Sequence, residues 1–120
     1  MNNDNLGRFG AYRKALELFD HVVADLEPLM VSPTLHRLIS QQLASADSIA
    51  SSIEDGYGRG SGKEYVQFST IARGSAQETS GRYGRLRHWL PAAATAARIA
   101  LCNEIIGILT STIKTLREQR

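Results

Sequence analysis

Apolar side chains in this chain recur every third or fourth residue in four successive runs, and each of the first three runs stops at a proline or a glycine cluster. The first run is Phe9, Tyr12, Leu16, Phe19, Val23 and Leu26. Steps of three and four put these residues on one side of a helix and do not fit strand alternation. Pro28 and Pro33 bracket the break that follows. A second run, Ile39, Gln42, Ala46, Ile49 and Ile53, opens behind Ser32-Pro33, a cap followed by proline at the first helical position. Its flanks are small (Ala44, Ser45, Ser48, Ala50, Ser51, Ser52), which lets helices approach closely. It ends among Gly56, Gly58, Gly60 and Gly62.

Ser61 and Glu64 form a capping-box pair at the start of the third run. That seam reads Tyr65, Phe68, Ala72, Ser75, Thr79, Arg82, Leu86 and Trp89, with Gly74 and Gly81 beside it and Pro91 after it. The fourth run carries two apolar tracks. One is Ala97, Leu101, Ile105 and Ile108, and the other is Cys102, Ile106, Leu109, Ile113 and Leu116.

The pattern predicts helices near 8–27, 33–56, 62–90 and 93–117. Short turns join them into an all-α, antiparallel up-and-down four-helix bundle. A chain of 120 residues, 42% hydrophobic and 22% charged, suits one domain over 1–120. With histidine counted as charged, no uncharged stretch exceeds nine residues, so no membrane span is expected. The sequence MNNDNLGRFG lacks the pattern of a secretory signal. The single Cys102 excludes an intrachain disulfide framework and suits a reducing compartment, so a cytoplasmic location is expected.

The first and last helices carry more apolar surface than one core needs. Beside the first seam runs a second stripe, Ala11, Ala15, Leu18 and Val22, and the last helix has its doubled track. Such surplus marks an interface. A homo-oligomer of closed symmetry is therefore expected, with Ala11, Ala15, Leu18, Val22, Ile106, Leu109 and Ile113 at the contact.

Residues for catalysis are scarce. Glu17, His21 and Asp25 form an i, i+4, i+8 line that reads as a solvated charged face. His36 has no visible partner, and Cys102 falls on an apolar face. The glycine-rich stretch 56–63 fails the phosphate-loop pattern, because Glu64 follows Gly62-Lys63 and no strand precedes it. No catalytic residue, metal ligand or cofactor is expected. Asp55, Arg73 and Glu78 are predicted to form a structural polar network, since a buried charge needs a partner.

Charge is distributed unevenly. Residues 1–56 carry four basic and eight acidic groups, whereas residues 57–90 carry six basic and two acidic. Arg59, Lys63, Arg82, Arg85, Arg87 and His88 form the candidate polyanion-binding surface, with Tyr83 and Trp89 interleaved. Arginine grips phosphate with a rigid fork, and such contacts are salt-sensitive and weakly sequence-specific. Tyr83 and Trp89 are expected to pack inside the protein.

The central segment adds a resemblance. Ser48, Ile49, Asp55, Gly56 and Arg59, followed by Tyr65, Phe68, Ile71, Ala72, Gly74, Ser75 and Glu78, resemble the pattern of the bacterial four-helix bundle proteins encoded by intervening sequences in 23S ribosomal RNA genes. That family is related to the accessory variability proteins of diversity-generating retroelements. The chain departs from the pattern at Ala44 to Asp47, at Ser52 and at Glu54-Asp55, so a basic second-helix surface does not carry over. The resemblance implies a non-catalytic bundle assembling as a ring, five subunits being the favoured number. Its retroelement relatives bind a reverse transcriptase and nucleic acid. Two functions follow as expectations. One is an oligomeric scaffold that contacts RNA, DNA or an enzyme such as reverse transcriptase through its basic third-helix surface. The other is a protein-interaction scaffold with no nucleic-acid affinity.

Overall fold

The computed structural model describes residues 9–59 and 62–119. Four helices run up and down: α1 (Gly10–Leu26), α2 (His36–Arg59), α3 (Gly62–Leu86) and α4 (Ala92–Glu118). Each packs against its neighbours in sequence, and α1 closes the ring of contacts against α4. The bundle measures 48 × 21 × 20 Å, and the described residues contain no strand. This is the all-α architecture that the four seams predict.

The connections follow from proline. Pro28 and Pro33 enter two 3₁₀ turns, Glu27–Val31 and Pro33–Leu35, so α2 begins three residues later than expected. The His36 imidazole Nε2 lies 2.9 Å from the Met30 carbonyl oxygen and ties α2 to that turn. Pro91 disfavours helical backbone at Leu90. The α3 helix accordingly stops at Leu86, short of the expected 90, and its end is closed by Trp89 N–H and Leu90 N–H donating to the Leu86 carbonyl. Ser61 of the expected capping box lies outside the described residues.

Burial bears out the second-run seam, since Ile39, Gln42, Ala46, Ile49 and Ile53 are all interior. In α1 it centres the core face on the second stripe. Ala11, Ala15, Leu18 and Val22 are fully buried together with Leu26 of the first seam, while Phe9, Tyr12 and Phe19 of that seam are partly buried against the core and Leu16 and Val23 are 43% and 38% exposed. The two stripes have the same period, so spacing does not rank them. Polar anchors set the rotation of α1: Asp25 is drawn inward by Arg98 of α4 and Tyr83 of α3, and the Tyr12 hydroxyl donates to Glu54 of α2 at 2.7 Å.

The expected interface set is therefore corrected. Ala11, Ala15, Leu18 and Val22, with Leu109 and Ile113 of α4, belong to the interior of one subunit, and Ile106 is half-buried. Among the described residues α4 is the one helix long and apolar enough to cross a membrane by length and composition, and 22% of that stretch is buried. Its outer side carries exposed Ala93, Ala96, Ala97, Ala100 and Gly107. Two of its charges are bound into the bundle, Arg98 to Asp25 and Glu104 to Lys14 at 2.9 Å each, while Lys114, Arg117 and Glu118 near its end are exposed.

At Gly56 α2 lies tight against α3, and a Cβ there would stand 2.8 Å from Phe68 Cβ. Only glycine allows that separation without displacing the neighbouring backbone.

Candidate functional site

The contact between α2 and α3 is polar through its middle. Gln42 Nε2 donates to the Thr79 carbonyl at 3.0 Å, and Ser45 Oγ and Thr79 Oγ1 are 2.8 Å apart. Thr79 Oγ1 donates back to the Ser75 carbonyl at 2.8 Å, and Ser75 Oγ to Ser48 Oγ at 2.9 Å. Arg82 enters this row. Its Nη1 donates to Gln42 Oε1 at 2.8 Å and Ser45 Oγ at 3.0 Å, with a longer contact to the Gln41 carbonyl at 3.4 Å. Small side chains on both helices admit the guanidinium, and the hydrogen bonds offset part of the cost of its desolvation. Burial, and secondarily the nearby Arg85, hold the Arg82 pKa below its ordinary value, with Glu78 opposing.

Arg82 is thus corrected from an outward cation to an interior one, 8% exposed. The third-run seam includes position 82, and that periodic signal, rather than its basic neighbours, anticipates its place. The expected network of Asp55, Arg73 and Glu78 does not form among the described residues. Asp55 and Glu78 are exposed without ion pairs, and Arg73 Nη1 reaches Thr110 Oγ1 of α4 at 3.4 Å. The polar network is built instead from Gln42, Ser45, Ser48, Ser75, Thr79 and Arg82, because neutral donors and acceptors are less costly than carboxylates to bury.

The remaining candidates divide between the two ends of α3. Lys63 is exposed in its first turn, and Arg85 is exposed in its last, about 33 Å away at ~1.5 Å per residue. The Arg59 side chain lies outside the described residues. Arg85, Arg87, His88 and Trp89 gather where α3 passes into α4, all exposed. Arg85 Nη1 donates to the Gly81 carbonyl at 3.3 Å and Arg87 Nη1 to the Gly84 carbonyl at 2.7 Å, and neither has an acidic partner among the described residues. Trp89, expected inside, is 46% exposed and lies edge-on to His88 with ring centroids 5.6 Å apart. Tyr83, its expected companion in the core, is fully buried.

A second polar cluster was missed by sequence reasoning. Asp25, assigned to a solvated line with Glu17 and His21, turns into the bundle. Arg98 holds it by two bonds, 2.9 Å from Nε and 3.1 Å from Nη2, and the Tyr83 hydroxyl donates to it at 2.7 Å. Burial first, then the hydrogen bond to Asp25, raises the Tyr83 pKa well above its ordinary value, while bonding to Asp25 raises that of Arg98. His21 keeps only a loose contact with Glu17, at 3.7 Å. No signal in the spacing joins residues 25, 83 and 98, which lie on three helices.

An open groove of about 910 Å³ runs along the C-terminal half of α4. Apolar and hydroxyl groups such as Ile108, Leu116, Ser111 and Thr112 line it, and its Lys14 is already paired with Glu104. Among the described residues no group of three or more His, Cys, Asp or Glu side chains gathers where it would hold an ion. Cys102 is buried, and desolvation pushes its thiol up to about 12. The described residues form a small all-helical bundle without an evident catalytic site among them.

No curated protein matches the chain. The family model described as 23S rRNA-intervening sequence protein matches residues 8–111. That span takes in nearly the whole bundle, including the α2–α3 contact, where the motif residues Ser48 and Ser75 bond and Gly56 meets Phe68. On the strength of that match, the chain belongs to the 23S rRNA-intervening sequence protein family.

Proposed function

We propose that the protein is a non-catalytic, self-associating bundle whose basic end, Arg85, Arg87 and His88, engages nucleic acid or an enzyme working on it, such as a reverse transcriptase. The observation that carries this reading is two adjacent exposed arginines without acidic partners among the described residues, beside a half-exposed tryptophan. Arginine forks suit phosphate, and an indole offers a face on which an unpaired base stacks. Self-association is supported by the apolar surface left uncovered, Leu16 and Val23 on α1 and the alanine-rich outer side of α4. Five subunits, and the link to retroelement accessory proteins, rest on the resemblance of the central motif.

The inward turn of Arg82 and the remoteness of Lys63 favour a second reading, a protein-interaction scaffold with no affinity for nucleic acid. Titration with a labelled single-stranded RNA separates the two. Two phosphate contacts per subunit give log K falling with log salt at a slope of about −1.4. An Arg85→Glu/Arg87→Glu variant should abolish binding while leaving the helical signal unchanged. No binding by the parent protein at low salt would leave the scaffold reading alone.

A further inference from the structure

Two connections meet at one end of the bundle, because the four helices share a level just short of it. Arg82 of α3 bonds to Gln42 of α2 at 2.8 Å, Tyr83 of α3 to Asp25 of α1 at 2.7 Å, and Arg98 of α4 to the same carboxylate at 2.9 Å. Beyond that level lie the α1–α2 turns, the start of α2, the last turn of α3 and the passage into α4. Residues 26–40 and 84–97 therefore gather at that end. They carry Arg37, Arg85 and Arg87 against one carboxylate, Glu27.

Arg37 is hidden in the charge pattern. It belongs to the acidic stretch 1–56, and folding brings it beside the arginines of α3. It stands one helical turn from Gln41 on the same side of α2, and the Gln41 carbonyl accepts from Arg82 at 3.4 Å. Arg85 stands one turn past Arg82 on α3. Arg37 and Arg85 thus flank the end of the α2–α3 contact from its two sides, and Arg87 follows two residues on. All three are exposed, and none has an acidic partner among the described residues.

Apolar surface collects at the same end. Val31 is 85% exposed, and Met30 and Trp89 are nearly half exposed. Together they make up half of the exposed large apolar side chains among the described residues. Cations set among an indole and two aliphatic tips suit a ligand that is anionic and also offers flat apolar faces. Unpaired nucleotides have both properties. A duplex hides its base faces in the stack, and reading its major groove takes a projecting helix or ribbon. Here the helices end in turns.

We propose that the ligand of this end is a short single-stranded stretch of nucleic acid laid across both connections. Arg37, Arg85 and Arg87 hold its phosphates, one base stacks on Trp89, and another packs against Met30 and Val31. The end is 21 × 20 Å across, which limits the stretch to about four nucleotides, the low end for single-strand sites. Resting on the reading of this end as a nucleic-acid surface, the inference adds a third arginine and a second connection to it and sets single strands above duplexes.

Trp89 is the sole tryptophan of the chain, so its emission reports on stacking. The whole protein is titrated with oligo(U) or oligo(dT), and with the same strands annealed to their complements. Single strands should quench the emission saturably. Duplexes should leave it unchanged and bind about tenfold more weakly despite their denser charge, because they forgo the stacked base. Three phosphate contacts give log K for a single strand falling with log salt at a slope of about −2.1, and Arg37→Ala should return it to about −1.4 with the helical signal unchanged. Trp89→Leu, read by the anisotropy of a labelled strand, should lose about tenfold for the single strand and nothing for the duplex. Three results would overturn the inference while leaving the Arg85 and Arg87 surface in place. They are duplex binding as tight as single-strand binding, emission unchanged at saturation, and a slope of about −1.4 that Arg37→Ala does not alter. No binding of any strand at low salt would overturn both readings. A blue shift of the emission with phosphatidylglycerol vesicles, without response to the strands, would do the same and assign the end to a lipid surface.

Discussion

Arg98 holds Asp25 with two parallel hydrogen bonds across the α4–α1 contact, 2.9 Å from Nε to Oδ2 and 3.1 Å from Nη2 to Oδ1. Both side chains are largely shielded, at 19% and 10% exposure, so water screens the pair weakly. Arg98→Ala removes one partner and leaves a carboxylate in a desolvated place. The expected cost is about 3 kcal/mol, as for breaking a buried pair. Arg98→Lys keeps the charge but loses the fork, so it should fall between the variant and the parent. Urea midpoints at neutral pH measure both, and a loss under about 1 kcal/mol for Arg98→Ala would mean that the pair is solvated like a surface one.

The same carboxylate gives the fold an alkaline limit through Tyr83. In the folded chain, burial and the bond to Asp25 keep the phenol protonated above its ordinary 10.0. Below pH 10.0 the phenol is neutral in both states and the stabilisation is complete. Above it the unfolded chain loses the proton first, so stability falls as pH rises toward the folded value. Tyr83→Phe should cost about 1 kcal/mol at neutral pH for the lost hydrogen bond and should lessen the decline above pH 10.0. Tyr12 and Tyr65, also raised, contribute part of the limb that remains. Chemical denaturation between neutral pH and alkali reads the slope directly.

Cys102 supplies an independent check on the interior. Its thiol moves from 9.0 in the open chain to about 12 in the folded one, because burial disfavours the thiolate. Stability from this group is therefore complete below pH 9.0 and is lost between there and about 12. Modification by a thiol reagent at slightly alkaline pH should be slow in the native protein and should reach the rate of an open thiol in denaturant. Rapid native reaction would place the sulfur at the surface.

Four helices and their order were legible because 3- and 4-residue spacing and proline placement are local signals. The rotation of α1 was not. Leu16 and Leu18 sit on stripes of equal period, and the choice between them depends on Asp25 finding Arg98, 73 residues away. Arg82 shows the opposite case. Its seam position signalled burial, but its basic neighbours suggested solvent, and the periodic signal prevailed because Gln42 and Ser45 supply acceptors. The carboxylates of Asp55 and Glu78 found no such partners and stayed outside. Trp89 follows the end of α3 that Pro91 imposes, so a period extended through residue 89 misplaces it.

Two glycines of the central motif should behave in opposite ways. A methyl group at Gly56 would collide with Phe68 Cβ, with 2.8 Å between carbons, and α2 and α3 would have to separate. Gly56→Ala is expected to cost about 1–3 kcal/mol, the range for overpacking. At Gly74 a methyl meets nothing within 4 Å, so Gly74→Ala should stabilise the helix by up to about 1 kcal/mol. Thermal melts of the two variants beside the parent settle the contrast, and equal effects at both positions would refute the close approach at Gly56.

The two stripes of α1 give the sharpest separation between folding and assembly. Leu18 is fully buried, and Leu18→Ala should lose about 2–5 kcal/mol through transfer and cavity costs. Leu16 is 43% exposed, so Leu16→Glu should change the stability of the isolated subunit by no more than about 0.5 kcal/mol. If Leu16 and Val23 form part of the contact between copies, Leu16→Glu also places a charge in that interface, and the sedimentation coefficient should fall toward that of one subunit while the helical signal persists. Leu18→Ala should unfold more easily at every concentration. An assembly indifferent to Leu16→Glu would remove the α1 surface from the interface and shift attention to the alanine-rich side of α4 and to exposed Met30, Val31 and Ile71.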